Sequence, residues 1–142
     1  MIKNEKQYKI TKSRLKDFEN SLKICKEDKY PDKILQKAME DGIQSKIDDF
    51  KREIQEYEKL RDKKVNQLKL TSFRDLPEIL VQSRIAHGYN QKQFAKMLKM
   101  PEQQIQRYEI ENYRRVSFET LMRICEKLNV DVTGGTKVKI AP

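Results

Sequence analysis

Between Asn90 and Glu109 the chain reads NQKQFAKMLKMPEQQIQRYE. The apolar residues Phe94, Leu98, Met100, Ile105 and Tyr108 are spaced to face inward from two short helical segments. Their spacing leaves Glu102, Gln103, Gln104, Gln106 and Arg107 on the outer faces. Pro101 opens the second segment, so Gln103 and Gln104 lie in its first turn. Arg107 follows Gln103 by four residues and therefore shares its face. Amides and a guanidinium recognise by hydrogen bonding; they do not make or break bonds. The groups that could do covalent or metal chemistry form no recognisable constellation. His87 is the only histidine, which argues against a His-based metal site and against a Ser-His-Asp triad. Cys25 and Cys125 belong to no pair motif and read as reduced thiols at helix core positions. Gly42, Gly88, Gly134 and Gly135 form no phosphate loop, and Asp41, Asp48 and Asp49 lie on a charged helix face. No catalytic residue, metal or cofactor is expected.

The elements that must carry such a surface are helices. Charged residues make up 37% of the 142 residues, with 4 Gly, 4 Pro and no Trp, a composition of helix formers with few breakers. The formal charge is +9, which suits a polyanionic partner, usually nucleic acid and sometimes an anionic membrane surface, and equally suits a merely solvated lysine-rich exterior. No stretch reaches the ~18 apolar residues of a membrane span. The start MIKNEKQYKITKSRLK has no apolar core of a signal peptide, so a cytoplasmic location is expected.

Tyr8, Thr11, Leu15, Phe18, Leu22 and Cys25 repeat at alternating three and four residues, one narrow stripe along a helix. A break over Lys26–Pro31 follows, with Pro31 suited to a helix first turn. A second helix runs from about Asp32 to Lys64. Its stripe is Leu35, Met39, Ile43, Ile47, Phe50, Ile54 and Tyr57, with Ile34, Ala38 and Leu60 beside it. The register shifts near Gly42, which marks Asp41–Gln44 as the place where this long helix would kink or break and Ser45 as the cap of a restart. The two stripes predict an antiparallel helical hairpin over residues 1–66. A hairpin alone buries too little, so Leu15, Phe18, Leu22, Ile47, Phe50 and Ile54 are expected to meet a second copy or another protein. Residues 67–75 read as a linker.

Residues 76–130 read as a compact helical domain. Leu76, Ile79, Leu80 and Ile85 form the apolar face of its first helix, which runs to Gly88, with Pro77 in its first turn. Asn90 caps a helix through Leu98, Pro101 opens one through about Glu111, and Ser117 caps a last one through Leu128. The last helix offers Phe118, Leu121, Ile124, Cys125 and Leu128 to the core. Residues 131–142 read as a short strand, hairpin or tail, with Val138–Ile140 as a candidate pairing edge. The fold class expected is all-α.

The order of residues in Leu76–Val130, above all NQKQFAKMLKMPEQQIQRYE, resembles the Cro/lambda-repressor helix-turn-helix domain of the Xre family of bacterial and phage regulators. The stretch IQRYEIENYRRVSFETLMRICEKLNV is similar to the end of that domain in antitoxins of the HigA kind. The chain departs from the family in having Lys99 at the turn glycine and Asn112 at the glycine after the recognition helix; asparagine tolerates the left-handed conformation. The resemblance implies a four- or five-helix domain that reads double-stranded DNA. It places Gln91 against a phosphate and the edge of an outer base. Gln103, Gln104 and Arg107 would meet the major groove, glutamine suiting adenine and arginine guanine, with Gln106 one turn on. Glu102 stands at the groove entrance, reading cytosine or capping the helix. Lys92, Asn112, Tyr113, Arg114 and Arg115 would hold the DNA backbone. Arg84 and Glu109 match the positions of a partly buried structural ion pair. His87 reads as a loop residue at a helix end.

The function expected is a dimeric, sequence-specific repressor on a palindromic operator. The extra hairpin favours the antitoxin of a type II toxin–antitoxin operon, bound to a cognate toxin, over a stand-alone or phage-type regulator. A protein-interaction module acting through the hairpin is the alternative from another class, and Gln103, Gln104 and Arg107 argue against it. The mixed charges of Asp48, Asp49, Glu53 and Glu56 among lysines argue against a membrane-surface helix.

Overall fold

A computed structural model describes residues 1–27, 31–65 and 68–131. Among them are six α-helices, one 3₁₀ turn and no strand, an all-α protein. The chain divides into two compact units, Met1–Asn66 and Gln67–Pro142.

The first unit is a pair of helices, α1 (Glu5–Glu27) and α2 (Lys33–Arg61). Asn4 starts α1, its side chain accepting from the Gln7 amide at 2.9 Å. Asp32 caps α2 by accepting from the Ile34 and Leu35 amides. Pro31 therefore precedes the cap and does not occupy the first turn. The two helices meet through Tyr8 stacked on Tyr57 at 5.2 Å and Phe18 edge-on to Phe50 at 5.4 Å. Ile2, ahead of α1, is also buried, and the Met1 ammonium reaches Glu53 at 2.8 Å.

Helix α2 runs unbroken through Gly42, with no restart at Ser45. Its expected stripe holds only in its C-terminal part. Ile47, Ile54, Tyr57 and Leu60 are buried, but Leu35 is 54% exposed, Met39 39% and Ile34 83%. The reason is geometric. Each four-residue step on a helix of 100° per residue rotates by about 40°, so Leu35 ends about 120° from Ile47. Gln36 takes the inward place instead and donates to the Cys25 carbonyl at 3.0 Å, closing the end of α1. Within one chain Ile47 and Ile54 are already covered. Of the residues assigned to a partner, Leu15, Phe18, Leu22 and Phe50 keep partial exposure.

The second unit opens with a 3₁₀ turn, Phe73–Asp75, held by a reciprocal capping box between Ser72 and Asp75. Part of the expected linker is thus ordered structure. Helices α3 (Leu76–Ala86), α4 (Gln91–Met97), α5 (Glu102–Ile110) and α6 (Phe118–Lys127) follow. Leu80, Val81, Phe94, Leu98, Ile105, Ile124 and Leu128 form the core, each 2% exposed or less. Phe118 does not join it. It is 72% exposed, in the first turn of α6 directly after the Ser117 cap, while Ile124 and Cys125 near the other end of the helix are buried. The expected strand near Val138–Ile140 lies outside the described residues.

Candidate nucleic-acid interface

The sequence builds helix α4 from its ends. Asn90 accepts from the Gln93 amide at 2.8 Å, and Gln93 returns the contact to the Asn90 amide at 2.9 Å. Phe94 and Ala95 are buried, and the small Ala95 lets α5 cross closely. The turn needs one residue in the left-handed region, and Lys99 supplies it at φ 55°. The Met100 amide then reaches the Ala95 carbonyl at 2.9 Å, closing α4, and Arg123 from α6 donates to the Leu98 carbonyl at 2.9 Å. Arg123 positions the turn from 25 residues away, so no local pattern betrays its role.

Helix α5 is oriented by a buried carboxylate. Glu109 is wholly buried. It accepts from Arg84 Nε at 2.5 Å, from Arg84 Nη2 at 3.0 Å and from Gln91 Nε2 at 2.7 Å. Arg84 also donates to the Tyr89 carbonyl at 2.7 Å. Three donors converge on one carboxylate and tie α3, the start of α4 and α5 together. A two-pronged guanidinium contact fixes rotation as well as distance. The pair is fully buried, not partly, with side-chain exposures of 2% and 0%.

This network determines where the expected contact residues stand. Gln103 and Arg107 are exposed on α5, and Gln104 is half-buried beside them. Arg107 donates to Gln104 Oε1 at 2.6 Å, and Gln106 to Glu102 Oε1 at 3.0 Å, so the polar face is internally organised. Lys92 on α4 and Asn112, Arg114 and Arg115 after α5 are exposed. Ile110, Glu111, Asn112, Arg114 and Arg115 line a shallow concavity carrying two guanidinium groups.

Two assignments change. Gln91 is buried with its amide on Glu109, so it holds the scaffold together rather than standing out toward a phosphate. Tyr113 is buried too. Asn112 and Tyr113 both adopt left-handed backbone, at φ 49° and 58°, and this double turn swings the phenol inward beside Tyr108. Its hydroxyl finds no hydrogen-bond partner among the described residues. Burial first, and then the nearby Glu109 carboxylate, push the phenol above the ordinary tyrosine range. Tyr108, expected in the core, is half-buried. Cys125 is buried, which raises its thiol above the ordinary value. His87 ends α3, with Nδ1 2.7 Å from the Ser83 carbonyl.

Residues 80–134 match the family model described as helix-turn-helix, the Xre and lambda-repressor type. The match spans α3 to α6, under half of the chain, and points to a DNA-binding transcriptional regulator with DNA as its partner. No curated protein and no solved structure gives a significant match. Among the described residues, no helix is long and apolar enough to cross a membrane.

Proposed function

We propose that the protein is a sequence-specific repressor that binds a palindromic operator as a homodimer and serves as the autoregulating antitoxin of a type II operon. The observation that carries the DNA-reading part is the buried Arg84–Glu109–Gln91 hub, which holds α5 so that Gln103 and Arg107 stand outward. Preorganised amide and guanidinium groups suit direct readout of adenine and guanine, while Lys92, Arg114 and Arg115 suit the phosphates. A palindrome requires two reading heads ~34 Å apart or a multiple of that, which a homodimer supplies.

The helical unit ahead of the DNA-reading unit supports the antitoxin role, since reading DNA does not require it. A stand-alone regulator would use the same unit for dimerisation only. Co-purification from the native host separates the two. A stoichiometric small basic partner whose toxicity the protein suppresses supports the antitoxin. Operator binding with no such partner, and no effect of the protein on the neighbouring gene product, assigns the stand-alone role.

A further inference from the structure

Helix α2 carries a second face that its pairing with α1 does not use. Ile34, Leu35, Ala38, Met39, Gly42 and Ser45 are all exposed, and none is charged in a chain that is 37% charged. Steps of three and four residues place them on one side of the helix, turned away from the inward Gln36, Ile47 and Ile54. Ile34, at 83% exposure, is the most exposed of the large apolar side chains in the described residues. A patch of this kind marks a protein contact.

Gly42 gives the patch its shape. A Cβ built there meets nothing within 4 Å, so packing inside the chain does not call for a glycine in mid-helix. A glycine on an outer face does allow a large side chain of another helix to settle against the backbone.

We propose that this face is the homodimer contact, with α2 packed antiparallel on the α2 of a second copy about a two-fold axis at Ala38. The charge and size pattern selects that occupant. In an antiparallel pair centred on Ala38, Ile34 lies level with the partner's Gly42 and Leu35 one residue from it, so the largest knobs meet the deepest hole. The same flank of each helix faces its own copy across such an axis. Lys37 then comes beside the partner's Asp41, and Asp41 beside the partner's Lys37, two ion pairs generated by one symmetry operation. The inference rests on the homodimer reading and gives it a surface, in place of Ile47 and Ile54, which one chain already covers.

The test is sedimentation velocity of the full chain across the micromolar range, with circular dichroism on every variant. Wild type should be a dimer. Ile34→Glu puts a charge into both halves of the contact and should weaken the dimer by roughly tenfold or more. Gly42→Leu should do the same while helix content is kept or raised, since the space is open in a single chain. Lys37→Asp should weaken the dimer, and the double variant Lys37→Asp, Asp41→Lys should restore it. A wild-type dimer indifferent to Ile34→Glu and Gly42→Leu overturns this surface and leaves the homodimer reading standing. A wild-type monomer overturns both.

Discussion

Replacing Tyr113 by phenylalanine should stabilise the DNA-reading unit. The phenol is 7% exposed and its hydroxyl is without a partner among the described residues. Tyr113→Phe removes that oxygen and leaves the ring beside Tyr108, where the centroids lie 6.3 Å apart. A buried hydroxyl with no hydrogen bond costs about 1–3 kcal/mol in proteins. The space the oxygen leaves returns part of that, so the net gain should be about 1 kcal/mol. For a unit of this size that is a rise of roughly 4–8 °C in Tm. The pH dependence follows from the same burial. The folded phenol titrates above its ordinary range, so folding favours the neutral form. Its stabilising effect is complete below the ordinary tyrosine value of about 10 and is lost as the pH climbs beyond it. Tyr113→Phe should therefore weaken the alkaline loss of stability. Thermal and denaturant melts at neutral and alkaline pH measure both effects, with operator affinity as the control. A loss of about 1 kcal/mol or more at neutral pH would show that the hydroxyl has a partner. Weakened DNA binding with an intact fold would return Tyr113 to the interface.

Glu109→Gln should destabilise the second unit by about 3–5 kcal/mol, because Arg84 stays buried beside a neutral group; a denaturant midpoint measures it. Gln103→Ala should cost about 1–3 kcal/mol on operator DNA and relax preference at one or two base pairs, with the melting curve unchanged. Arg114→Ala or Arg115→Ala should weaken binding to operator and random DNA alike and lower the salt slope by about one unit, seen in titrations over a range of ionic strengths. In the Ile34→Glu background, where the contact between copies is lost, Gly42→Ala should stabilise the helical pair by about 1 kcal/mol, visible as a higher denaturant midpoint for helix content.

Local signals were readable where the residues involved are neighbours in the chain. Asn90, Ser117 and the inward Phe94, Leu98 and Ile105 are short-range patterns, and the structure has helices and core at those positions. The left-handed turns at Lys99 and Asn112 were also open to reading, because few conformations join two helices over so few residues. The departures have long-range or cumulative causes. Four-residue spacing imitates a stripe but rotates, which misplaced Leu35 and Met39 and hid the inward role of Gln36. Gln91 is polar at a helix start and reads as surface. Only Glu109, 18 residues on, makes its burial favourable. Tyr113 sits among Asn112, Arg114 and Arg115 and reads as one of them, until two successive positive-φ residues turn it inward. Arg123 acts on the Leu98 carbonyl through the tertiary fold, beyond any spacing rule.

On the reading proposed above, the outer face of α5 reads DNA sequence. Selection of bound duplexes from a random pool, run in parallel on wild type and on Gln103→Ala and Arg107→Ala, tests it most directly. Wild type should enrich a two-fold symmetric site with half-sites one helical turn or a multiple apart. Each variant should then lose preference at particular base pairs while still binding DNA. Enrichment of the same site by all three proteins, or no enrichment by wild type, would contradict it.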